Sequence, residues 1–150
     1  DYIMGLDMFL FAKEYLSEYD EADKEKIDTI GEGPFGSKPT HVQYEVAYWR
    51  KCNQIHQWFV KNVQGGTDDC GEYFVQPSKL KELVDTCKLV LKDHTKAQEL
   101  LPTGAGFFFG STDYDEWYYE DVANTVQKLE PMLNEYCQGT SYGLYYCSSW

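Results

Sequence analysis

Positive charge is what this sequence has least of. Only 13 Lys and Arg stand against 25 Asp and Glu across 150 residues, a formal net charge of −12. Affinity for nucleic acid or an anionic membrane surface comes from cations that neutralise phosphate, so neither is expected as a direct partner. Long apolar runs are missing too, since nothing approaches the ~20 residues that a membrane-spanning helix needs. No basic segment followed by an apolar one opens the chain, so a secretory signal is not expected and the reading is cytoplasmic. Cysteine is present, but not as a framework. The five Cys, at 52, 70, 87, 137 and 147, are odd in number, widely spaced and without a CxxC pair. That pattern argues for reduced thiols rather than disulfides or a zinc site. A phosphate loop, a dinucleotide fingerprint and calcium-loop spacing are absent as well, so no cofactor and no metal are expected.

Aromatic residues are abundant, with 13 Tyr, 8 Phe and 4 Trp. Tyr and Trp combine an apolar body with a polar tip, which suits half-buried positions at interfaces and pocket walls. The length fits one domain, 1–150, whose core needs no staples.

Periodicity orders the chain. Residues 5–12 are short, apolar and aromatic, and read as a buried strand. Lys13 to Glu25 is polar and acidic, and 31–39 holds three Gly and two Pro, so it reads as a flexible loop. Val42, Tyr44 and Val46 alternate with polar neighbours, as in a half-buried strand. From Ala47 to Val63 the apolar stripe Tyr48, Cys52, Ile55 and Phe59 has helical spacing, ending at Gly65-Gly66. Tyr73 to Val75 is a short extended segment. Pro77 opens a second helix with Leu80, Leu83, Val84 and Cys87 on its buried face. Phe107 to Phe109 reads as extended chain or a wedge into the core. Thr112, with Asp115 three residues on, resembles a capping box for a third helix that Pro131 kinks or restarts. The aromatic tail from Tyr142 is a last strand. The expected fold is α+β: three main helices packed on one face of a small antiparallel sheet formed by the N-terminal, 42–46 and C-terminal strands. Cys52, Cys87 and Cys137 are expected on buried apolar faces.

Three groups carry candidate chemistry. Trp49, Asn53 and His56, spaced i, i+4, i+7 on the expected first helix with Arg50 beside them, offer an aromatic platform, an amide, an imidazole and a guanidinium. With Thr112, Asp113 and Trp117 they are the candidate ligand-binding residues; packing into the core is the competing reading. The stretch Asp113 to Asp121 is dense in carboxylates, which cap and charge a helix start. Asp113, Asp115, Glu116, Glu120 and Asp121, together with Glu18, Asp20, Glu21 and Asp23, are the candidate partner-binding residues. Finally, Cys70 and Asp69 would form a hydrolase-like constellation with His56 if the fold brought them together. Turn chemistry explains Asp68-Asp69-Cys70-Gly71 equally well.

The segments Met4 to Lys13, Tyr48 to His56, Asp69 to Tyr73, Leu100 to Thr103, Gly106 to Trp117 and Ser148 to Trp150 together resemble a family of small proteins encoded by bacteriophages and prophages. The resemblance spans nearly the whole chain, is poorest between Asp20 and Lys38, and starts at Met4-Gly5, so that residues 1–3 read as an addition. It implies context rather than chemistry: a phage accessory protein in the cytoplasm of a bacterial host, with no site residues attached. Small acidic phage proteins often antagonise host defence, by mimicking DNA toward a CRISPR effector or nuclease, or by sequestering a nucleotide signal. The expectation is therefore a non-catalytic, anti-CRISPR-like inhibitor that binds a host protein with a basic surface. A small-molecule binder or a small Cys/His hydrolase is the alternative, and a homodimer is left open.

Overall fold

The computed structural model describes residues 5–106 and 110–150. Four strands form one antiparallel sheet: β1 (Asp7–Tyr15), β2 (His41–Arg50), β3 (Tyr73–Val75) and β4 (Tyr142–Ser149), in the order β2-β1-β4-β3. Helices α1 (Glu21–Ile30), α2 (Asn53–Asn62), α3 (Pro77–Lys92), α4 (Ala97–Leu100) and α5 (Glu116–Gln138) occupy the connections. The α+β class and the antiparallel sheet are as expected. Among the described residues, no helix is long and apolar enough to cross a membrane.

The central strand β1 alternates, with Met8, Leu10 and Ala12 buried on one side and Phe9 and Phe11 half-buried on the other. Leu144 and Tyr146 of β4 continue the buried side. Against it pack Ile55 and Phe59 of α2, Leu80, Leu83 and Val84 of α3, and Val122 and Leu129 of α5. Each of these large side chains contributes about 1.5–3 kcal/mol on burial, so the core is ample for the chain's length. Phe59 stacks on Tyr146 with ring centroids 3.9 Å apart, fixing α2 across the sheet.

Several expected boundaries move. Ala47 to Arg50 is not helical: Ala47 pairs with Leu10, Tyr48 with Phe9, Trp49 with Met8 and Arg50 with Asp7. Ala47 and Trp49 face inward and Tyr48 and Arg50 outward, a period of two that the helical spacing of Tyr48 and Cys52 obscured. Lys51, with φ of 53°, breaks the strand, and α2 begins two residues later. The acidic stretch after Asp20 forms α1, capped by the Asp20 carboxylate, which accepts from the Asp23 N–H. That helix buries no residue fully, so it carries no apolar stripe to betray it. Residues 31–39 are a loop with one tight turn at Pro34–Gly36. The third expected helix is capped by Asp115, not Thr112, and runs through Pro131 without ending. Cys52 and Cys87 are buried as expected, whereas Cys137 is exposed, and no thiol is in a disulfide. The reading of Phe107 to Phe109 lies outside the described residues.

Candidate functional site

The candidate ligand-binding residues separate once β2 and α2 are resolved. Trp49 is buried, and its indole N–H donates to Thr125 Oγ1 at 2.9 Å, tying the sheet to α5. Asn53 is only 1% exposed. Its Nδ2 donates to the Ser111 carbonyl at 2.7 Å and its Oδ1 accepts from Gly104 N–H at 3.1 Å. Gly104 has no room for a side chain, because a Cβ there would collide with the Gln57 side chain. Thr103 Oγ1 donates to the Thr112 carbonyl at 2.9 Å. Together these bonds hold the two ends of the 103–112 segment against the start of α2.

Arg50 points the other way, its Nη1 donating to Asp7 Oδ1 at 2.7 Å. Arg50, Lys51, Asp113, Asp115, Trp117 and Asp121 border a cleft of about 260 Å³ between the end of β2 and the start of α5. Of the expected ligand-binding set, Arg50, Asp113 and Trp117 therefore meet there, while Trp49 and His56 are built into the core.

His56 has a different job from the one its spacing suggested. It is fully buried, with Nδ1 2.6 Å from Tyr146 Oη and Nε2 3.0 Å from both carboxylate oxygens of Asp68. Trp150 Nε1 donates to Asp68 Oδ1 at 3.1 Å. The acid on the imidazole is thus Asp68, not Asp69. Asp69 instead accepts from Gly71 N–H and Tyr73 Oη, closing a turn in which Cys70 is exposed with φ of 58°. Burial lowers the His56 pKa while Asp68 pulls it upward. Burial also drives the Tyr146 phenol well above its ordinary value. A buried phenol, a buried imidazole and a half-buried carboxylate form a structural relay that joins β4, α2 and the chain's last residue. A phenol held neutral in this way is no nucleophile.

The carboxylates of α5 are arranged oppositely. Asp115 caps the helix, its Oδ1 accepting from Tyr118 N–H at 3.1 Å. Trp117 stands 65% exposed among Asp113, Glu116 and Glu120. Burial and the neighbouring Glu120 and Asp115 raise the pKa of Asp121. Among the described residues, no Lys or Arg forms an ion pair with these five carboxylates. Elsewhere Glu14 pairs with Lys26, Glu18 with Lys38, Glu72 with Lys13 and Asp85 with Lys81. Of the other acidic candidates, Asp20 caps α1 and Asp23 accepts from Ser17 N–H, whereas Glu21 stands exposed in the first turn of α1. No group of three or more metal-ligating side chains converges among the described residues.

A second cleft, about 350 Å³, lies between α2, α3 and the segment after α4, with Gln57, Asn62, Thr86, Leu100 and Pro102 among its walls. Its residues come from three separate stretches, so no motif announced it. No family model, curated protein or solved structure matches the chain.

Proposed function

We propose that this chain is a non-catalytic binding protein that docks on the basic surface of a host protein through the acidic start of α5. The observation that carries the reading is a cluster of carboxylates, Asp113 to Asp121, none of them in an ion pair among the described residues, around an exposed Trp117. Unpaired carboxylates on a helix start steer a cationic partner, and an exposed Trp supplies an anchor that can stack on Arg. Both nitrogens of the buried His56 ring are engaged by Tyr146 and Asp68, which favours a structural over a catalytic role for it. In the phage setting implied by the resemblance, the partner is a DNA-handling defence enzyme such as a CRISPR effector or nuclease, whose phosphate-binding groove the acidic surface imitates.

Mixing the protein with such enzymes at low and high salt tests the proposal. A complex that forms at low salt, dissolves as ionic strength rises, and is lost in the Asp113→Asn/Glu116→Gln/Glu120→Gln variant supports it. A complex indifferent to salt and to that variant would count against it. The second reading, a small-molecule binder, draws on the 350 Å³ cleft. Glu82 and Glu99 outnumber Lys61 there, which disfavours an anionic nucleotide. A thermal-shift screen with nucleotides and cyclic dinucleotides separates the two readings.

A further inference from the structure

The helices α2, α3 and α5 all pack on one face of the sheet, and among the described residues no element covers the other. That outer face is aromatic. Phe9 and Phe11 run down the central strand with ring centroids 5.5 Å apart, and Tyr48 lies 5.3 Å from Phe9. On the other side of β1, Tyr145 and Phe74 meet at 5.5 Å. A contiguous apolar face of this kind on a small domain marks an interaction surface.

Both sheet edges are defended against pairing with another chain. On β2 the register slips between Leu10 and Phe11, where Ala47 and Glu45 face them and Val46 is extra, and Glu45 adds a charge mid-strand. At the far edge, β3 is three residues long. A bulge, a charge and a short strand are the usual defences of an edge, so a partner is directed to the face.

The electrostatics of the face select the occupant. In a molecule of net charge −12, this surface is close to neutral: Arg50 is paired with Asp7 at 2.7 Å, and Lys13 with Glu72. Only Glu45, at the rim, lacks an ion-pair partner among the described residues. Single-stranded nucleic acid would stack on such rings but needs cations to track its backbone, and the two on this face are already engaged. A basic partner has the start of α5. A second copy of the chain, which would be repelled at almost any other surface, meets no uncompensated charge here beyond Glu45. From strand spacing and the nine-residue length of β1, the face offers roughly 500 Å² per copy. That is about 1,000 Å² in total, the lower limit for a specific interface.

We infer that the protein forms a homodimer by face-to-face packing of its two sheets through Phe9, Phe11, Tyr48, Tyr145 and Phe74. An interface at this lower limit fits a weak dimer, with a dissociation constant on the order of 1–100 µM. Because the copies repel through their net charge, added salt strengthens the dimer, the reverse of its effect on the α5 surface.

Sedimentation or light scattering of the wild-type chain from about 1 µM to about 1 mM, at low and high salt, is the primary test. The expected result is a rise from monomer to dimer mass that moves to lower concentration as salt increases. A monomer throughout the range overturns the inference, and so does a dimer that dissolves with salt. Phe11→Lys should shift the transition at least tenfold upward while circular dichroism shows the fold retained. Should that variant misfold, alkylation of the wild-type protein serves instead. Cys147 neighbours Phe9 on the same face and should be protected as the dimer forms, with the exposed Cys70 and Cys137 unchanged. A Cys147 rate that does not change with protein concentration would overturn the inference.

Discussion

His56 and the carboxylates at the start of α5 look alike in sequence, as polar side chains beside apolar stripes, and the fold treats them oppositely. The imidazole is sealed at 0% exposure with phenol and carboxylate partners, whereas Trp117, Asp113, Glu116 and Glu120 are exposed and, among the described residues, in no ion pair. A buried polar group must be satisfied by the protein itself, and once satisfied it specifies packing. An exposed one costs nothing to leave unpaired and remains available to a partner. Polarity in the first cluster is structural; in the second it is exposed to the partner we propose.

The sharpest way to break that contrast is His56→Ala. It removes a buried ring and leaves the Tyr146 hydroxyl without its partner, so a loss of about 3–4 kcal/mol is expected in urea or thermal unfolding. A loss under about 1 kcal/mol would show that the cluster is not structural. Next comes Trp49→Phe, which keeps an aromatic ring but removes the indole donor to Thr125 Oγ1, whose own O–H still donates to the Asp121 carbonyl; about 1 kcal/mol should go, read as a shift in denaturation midpoint at constant slope. Asp115→Ala removes the N-cap of α5 at an expected cost of about 1 kcal/mol, with reduced helicity by circular dichroism. At the small end, Asp113→Asn/Glu116→Gln/Glu120→Gln should leave stability within about 0.5 kcal/mol, because those side chains are exposed and in no ion pair among the described residues.

Acid provides an independent check. Burial depresses the folded pKa of His56 below its ordinary value, so its contribution is fully present above the unfolded pKa. It is lost as pH falls through the depressed folded pKa, where the buried ring must accept a proton. Stability should therefore decline as pH drops below about 6.5, and a stability–pH profile of the His56→Ala variant should lack that component. If both proteins decline in parallel, other groups govern the acid limb.

The boundaries that moved share one cause. Trp49 and His56 satisfy a helical interval on paper, but pairing with Met8 on β1 makes Trp49 part of a strand. Strand pairing is a long-range contact that outweighs local spacing. Asp69 and Cys70 adjoin a residue that does touch His56, yet the choice of Asp68 depends on how the 63–72 turn folds back over α2. Helix α1 escaped notice because it buries nothing fully, and periodicity registers only faces that are buried.

Composition and periodicity alone determined the α+β class, a strand at the start of the chain, the buried face of α3 and the strongly negative charge, because each rests on local pattern or simple addition. Tertiary structure alone decided that His56 belongs to the core, that Asp113, Glu116 and Glu120 enter no ion pair among the described residues, and that none of those residues covers the aromatic face of the sheet. Those outcomes depend on which distant segments meet, and sequence spacing carries no record of distances across the fold.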